Sequence, residues 1–290
     1  MRFGVVILPD ARWVEAAWRW RRADELAFDT AWTYDHLAWR SLRDDPWFGM
    51  VPTLAAAASV TRRVRLGPLV ASPNFRHPVP FAKELVALDD LSGGRLVVGL
   101  GAGGTGWDAT VLGAPEWSTP ERADRFEEFV GLLDELLRSP SGVTSSGRFY
   151  SADGARNLPG CVQQPRAPFA VAATGRRGLR LAASLGQSWV TTGDRSTPGP
   201  VPAPEGAAMV AAQIRRLEEA CAATGRDPTS IDRVVLTGAQ LDAGLSSVEA
   251  FRDVAGRYAE VGVTDLVVHW PRDHEPYVAD LATFERIFSA

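Results

Sequence analysis

The sequence predicts an α/β protein, a (β/α)8 barrel of the TIM type built as a single domain over residues 1–290. Three observations lead there. Short apolar runs with the branching of buried strands alternate eight times with helical stretches. No run of consecutive strands breaks that order, and the length is what an eight-fold alternation needs. A doubly wound open sheet is the competing arrangement of the same elements.

The elements follow in order. Phe3–Pro9 reads as the first strand, and an Arg-rich amphipathic helix follows around 14–28. Ala31–Leu37 is the second strand, and an alanine run predicts a helix over 46–60. Val64–Ala71 and Arg95–Leu100 are strands three and four. Between them Phe81, Leu85, Leu88 and Leu91 recur at helical spacing, until Gly93-Gly94 supplies a left-handed stop. That β-α-β unit makes the two strands parallel neighbours with a right-handed crossover. Thr119 as N-cap and Pro120 in the first turn start a helix reaching about Leu137. Residues 139–166, rich in Ser, Gly and Pro, read as an elaborated connection, because Pro168–Thr174 and 177–185 resume the alternation at once. Ser188–Thr192, 206–224, Arg233–Leu241, 248–261, Asp265–Trp270 and 277–288 complete it.

Composition narrows the function classes. With net charge −4 and 23% charged residues, nothing suggests a surface for nucleic acid. Cys161 and Cys221 match no metal or redox spacing, so a reduced, cytoplasmic protein is expected. No stretch has signal-peptide character or membrane-spanning length, so a membrane partner is not expected either.

Barrel polarity sorts the motifs, because loops that follow strands form the active face. The string from Asp89 to Arg95 falls at the opposite end, where it should close a helix and pair Asp89 or Asp90 with Arg95. Gly99 to Gly104 satisfies G-x-G-x-x-G after a strand, but no helix opens directly on its last glycine, so the dinucleotide reading fails. Small residues there, Gly101 among them, let the strand end lie close to a flat cofactor ring or to a neighbouring loop. Asp35-His36 ends strand two, where a carboxylate can orient an imidazole that titrates near neutrality. Thr174-Gly175-Arg176 joins strand five to a helix and offers free N–H groups to an anion. Trp39, Trp47, Phe48, Phe75, Trp107, Trp117 and Trp270 gather on the active face, with Trp39, Phe75, Trp107 and Trp270 as candidate pocket walls for a planar guest. Four histidines without a His-x-His do not support a metal-hydrolase barrel, and no Gly-x-Ser-x-Gly elbow exists.

Tyr34-Asp35-His36-Leu37, Ser72-Pro73-Asn74-Phe75-Arg76-His77-Pro78, Leu88-Asp89 with Leu91 to Arg95, Gly99 to Gly103, and Ala172-Ala173-Thr174-Gly175 together resemble the bacterial luciferase-like superfamily. The Asp-His pair makes the chain most similar to the subgroup that uses the deazaflavin coenzyme F420; enzymes using flavin mononucleotide (FMN) share the rest. The resemblance implies a dimeric barrel with the cofactor ring across the carboxyl end, backed by a bulge at Leu69-Val70-Ala71 with a cis peptide at Leu69–Val70 or, failing that, at Val70–Ala71. It places the cofactor phosphate near Ala173, Thr174, Gly175 and Arg176. His36 would act as acid/base or ring-positioning group, oriented by Asp35. Sugar-phosphate-oxidising members carry a carboxylate where Gly104 stands, so that activity is not implied. Three readings follow: F420-dependent hydride transfer on a small organic substrate, a reduced-flavin monooxygenase, and a barrel that binds a ligand without turnover.

Overall fold

The computed structural model describes residues 1–37, 39–194 and 196–289. Its elements run β1 (Arg2–Val6), α1 (Trp13–Glu25), β2 (Thr30–Thr33), α2 (Met50–Val60), β3 (Arg65–Pro68), α3 (Pro78–Leu91) and β4 (Val98–Leu100). They continue with α4 (Trp107–Thr110), α5 (Thr119–Arg138), β5 (Val143–Ser146), β6 (Ser151–Ala155), β7 (Phe169–Ala172), α6 (Arg176–Leu185) and β8 (Ser188–Thr191). The last are α7 (Ala203–Ala223), β9 (Asp232–Leu236), α8 (Val248–Glu260), β10 (Asp265–His269) and α9 (Leu281–Phe288).

Eight of these strands form one parallel sheet in the order β3-β2-β1-β10-β9-β8-β7-β4. The sheet closes on itself through parallel bridges Leu66↔Leu96 and Ala71↔Leu100. This is the (β/α)8 barrel, not the open sheet. The β3–β4 seam is tight: a Cβ at Gly67 would overlap the Val97 carbonyl, and one at Gly99 the Pro68 carbonyl. Glycine at both positions is what lets the two backbones meet. The Leu69–Val70 peptide is cis, as the resemblance implied.

Strand periodicity divides the core into two layers. Val6, Leu8, Trp32, Leu69, Val97, Val190, Val234 and Val267 fill the barrel. Val5, Ile7, Leu66, Val98, Trp189 and Val268 alternate with them and pack outward against the helices. Trp270 belongs to this outer layer. It is 4% exposed and its ring meets Trp18 of α1 and Phe284 of α9, so it does not wall the mouth. The expectation for Trp270 failed because it falls on the outward phase of β10, one residue beyond inward His269.

Several boundaries also moved. The α2 helix begins at Met50 rather than Pro46, because Phe48 N donates to Pro9 O and Trp47 Nε1 to His36 O, holding 46–49 as a loop. Asp280 caps α9, so residues 271–280 form a strap before it. Ser118, not Thr119, caps α5, in a capping box with Glu121. Residues 143–155 form the β5–β6 hairpin, whose Phe149 and Tyr150 amides donate to Glu128 of α5. At the amino end, Asp89 accepts from the Gln163 amide and side chain instead of pairing with Arg95. Arg95 is consumed by the backbone, donating to carbonyls of Ala58, Thr61, Val64 and Ser92.

Candidate active site at the carboxyl ends of the strands

Strand β2 runs directly into Tyr34-Asp35-His36, and the pleat sends these side chains to different places. Asp35, 3% exposed, turns toward the helices. There Arg76 Nη2 donates to its Oδ1 at 2.8 Å and Arg76 Nε to its Oδ2. Arg76 also reaches Glu84 at 2.9 Å and lies over the Phe81 ring. Burial works against the Arg76 charge, but the Asp35 and Glu84 carboxylates together outweigh it and raise the guanidinium pKa. Asp35 is therefore a strut joining β2 to the loop after β3, and it does not orient His36.

The partner of His36 is Asp108. Its Oδ2 meets His36 Nδ1, and its Oδ1 accepts from Leu37 N at 2.8 Å. Asp108 sits on α4, the single turn that follows the Gly-rich loop, and Gly106 N is tied to Glu116. The glycines hand the chain from β4 to this turn without side chains in the way. The Asp108 carboxylate thus stands four residues after Gly104. Trp47 completes the setting by donating to His36 O at 2.9 Å.

The glycine turns themselves divide. A Cβ on Gly101 would fall within 2.5 Å of Val70 Cγ2, and one on Gly103 would strike the Asn74 amide. These two make room for the loop after β3. Gly104 and Gly175 face open space. Leu69 is buried, Val70 half-buried and Ala71 buried at the β3 end. Across the mouth Ala173 is half-buried, and Thr174, Gly175 and Arg176 are exposed at the start of α6, whose cap supplies no side-chain bond. Arg177 is committed to Asp124 and Glu127.

An aromatic wall stands beside His36. Trp39 is buried with its ring 5.3 Å from Tyr34, 5.9 Å from Tyr277 and 6.3 Å from His36. Phe75 and Trp107 are half-buried, beneath Arg76 and Arg43 respectively. Behind them Tyr34 OH lies 2.7 Å from His269 Nε2 and 3.4 Å from Tyr277 OH. Burial holds the His269 pKa down to about 3 and pushes Tyr34 well up, so both are neutral at ordinary pH. Sequence reading missed Asp108, His269 and Tyr277. The usable signal was modest: an acid within the loop after β4, and a histidine on the inward phase of β10.

Fold and side-chain placement define a (β/α)8 barrel whose polar and aromatic groups gather at the strand carboxyl ends. Within that class the chain belongs to the luciferase-like monooxygenase family, whose model matches residues 1–260. It is similar to the 5,10-methylenetetrahydromethanopterin reductase of Archaeoglobus fulgidus, 29% identical over 64% of this chain and 51% of that protein. It is also similar to the F420-dependent glucose-6-phosphate dehydrogenase of Beutenbergia cavernae, 34% identical over 59% and 50%. The chain spans about half the length of these curated relatives. A solved F420-dependent secondary alcohol dehydrogenase in complex with an F420–acetone adduct shares the fold, with TM-score 0.81 over 100% of this chain and 99% of that one, at 18% identity. Among the described residues, no helix is long and apolar enough to cross a membrane.

Proposed function

We propose that this chain is an F420-dependent oxidoreductase that moves hydride to or from a small organic substrate, working as a cytoplasmic homodimer. The observation that carries the reading is the His36–Asp108 pair at the mouth, facing turns left open at Gly104 and Gly175. The residues present fit the cofactor. Val70 and the small residues near it offer a backing surface for a flat ring. Thr174, Gly175 and Arg176 offer helix-start amides to a phosphate, beside Ala173, whose own N donates to Val190 O. When bound, the deazaflavin supplies or accepts two electrons as hydride.

The chain's own groups handle the proton. Asp108 holds Nδ1, which fixes the orientation of the ring. Nε2 of His36 is then the atom that takes a proton from a substrate hydroxyl as its carbon loses hydride, or returns one in reverse. Trp39, Phe75 and Trp107 exclude water from that exchange.

Fluorescence titration of the purified chain with F420 and, separately, FMN tests this. Saturable F420 binding, followed by substrate-dependent change in its oxidation state, is the expected result, with Gly175→Asp weakening binding roughly tenfold or more. FMN binding with oxygen consumption would establish the monooxygenase reading instead. Binding without turnover across a substrate screen would leave a ligand-binding barrel.

A further inference from the structure

The strap between β10 and α9 brings one more polar group to the mouth. Arg272 N donates to Tyr277 O at 3.1 Å and Ala279 N to Arg272 O at 3.2 Å, folding residues 272–279 back on themselves. The Arg272 side chain anchors the strap on Asp10 at 2.9 Å, and Asp10 is itself held by Arg19. At its tip Tyr277 has φ +73°, a left-handed conformation that bulky residues rarely adopt. Its ring lies flat on His269, with centroids 3.5 Å apart and planes 6° apart. A strained residue held this closely is a feature to be explained by function.

Hydrogen-bond counting shows what the strap presents. The Tyr34 hydroxyl has one proton and accepts through its lone pairs. It stands between His269 Nε2 and Tyr277 OH. If His269 Nε2 carries its proton, it donates to Tyr34, Tyr34 donates to Tyr277, and the Tyr277 proton is left to donate. If Nε2 is bare, Tyr277 donates to Tyr34 and keeps lone pairs to accept with. In either tautomer the Tyr277 oxygen retains hydrogen-bonding capacity, and Tyr34 has spent its proton. Tyr277 is half-buried, and it shares Trp39 as a neighbour with His36.

We infer that Tyr277 is a second substrate-contacting residue, whose phenol hydrogen-bonds the polar atom at the reacting carbon, with Tyr34 and His269 as positioning residues behind it. This rests on the proposed hydride transfer, which leaves one substrate heteroatom gaining or losing a proton. His36 exchanges that proton; Tyr277 fixes where the atom sits. Removing the phenol hydroxyl takes away the aimed hydrogen bond and the 3.4 Å contact with Tyr34, and nothing of the stack on His269. Tyr277→Phe should lower kcat/KM roughly 10²-fold without changing F420 affinity or the melting temperature. Tyr34→Phe should give a smaller fall in kcat with KM nearly unchanged, since it loosens aim rather than contact.

A second measurement needs no cofactor. In chain labelled with 15N-histidine, cyclohexanone added at pH 7 should shift the His269 ring nitrogens, and Tyr277→Phe should abolish that shift. No His269 response in the wild-type chain, or an equal response in Tyr277→Phe, would overturn the assignment. Failure of both F420 and FMN to bind would instead remove the proposed function, while the nitrogen shifts still decide Tyr277.

Discussion

The two ends of the barrel spend their polar groups differently. At the amino end, charges are consumed by the fold. Arg2 joins Asp232 and Asp265, each at 2.6 Å, and Asp24 accepts from the amides of Arg62, Arg63 and Val64. A cavity of about 390 Å3 opens there, but its arginines face aspartates in equal number, Arg2, Arg63 and Arg65 against Asp29, Asp232 and Asp265. At the carboxyl end, His36 is fixed at one ring nitrogen, the α6 amides have no side-chain cap, and Tyr277 keeps unspent hydrogen-bonding capacity. Saturated groups stabilise and unsaturated ones remain available to a ligand. Asp35 and Asp108 bring this contrast into one site: the first is held by Arg76, the second meets His36 at the mouth.

The contrast can be broken at four points. His36→Ala should lower turnover about 10²–10⁴-fold while thermal melting stays near wild type; full turnover in folded protein would end the role given to His36. Asp35→Asn should do the reverse, costing about 3 kcal/mol of stability through loss of a buried partner for Arg76. Urea unfolding beside kinetics on the folded fraction checks this, and the idea fails if activity falls while stability holds. Asp108→Asn should reduce turnover about 10–100-fold, because the imidazole keeps its neighbours but loses its counter-charge. An effect as large as that of His36→Ala would make the carboxylate a direct participant.

The fourth point concerns acid stability. His269 is held near pKa 3 against 6.5 for the free side chain, so between those values the unfolded chain binds the additional proton. Its contribution is complete above about pH 6.5 and declines as pH falls toward 3, by up to about 1.4 kcal/mol per pH unit. Unfolding free energies at several pH values across that window should show the slope, and His269→Gln should flatten it. Identical slopes in the two proteins would mean that His269 is not buried neutral.

Strand and helix identity was legible in the sequence because it is a local property. Alternating branched runs and 3.6-residue periods report which face of each element avoids water, and eight repeats of that pattern admit few closed arrangements. The motifs after β2, β3, β4 and β7 could be assigned to one end for the same reason, since parallel strands all point one way. Pairing was not legible. Asp35 and His36 are adjacent in the chain, but a strand sends neighbours to opposite faces, so adjacency argued for the wrong partner. Asp108 lies 72 residues from His36 and reaches it across the β3–β4 seam that closes the barrel, while Tyr277 lies 243 from Tyr34 and reaches it because β2 and β10 both flank β1. Trp270 and His269 differ by one position, and the pleat alone put the first among the helices and the second beneath the mouth. The sequence by itself determined the barrel and the end that bears the site; tertiary structure decided which side chains meet there, because contact depends on strand phase and closure across the whole chain.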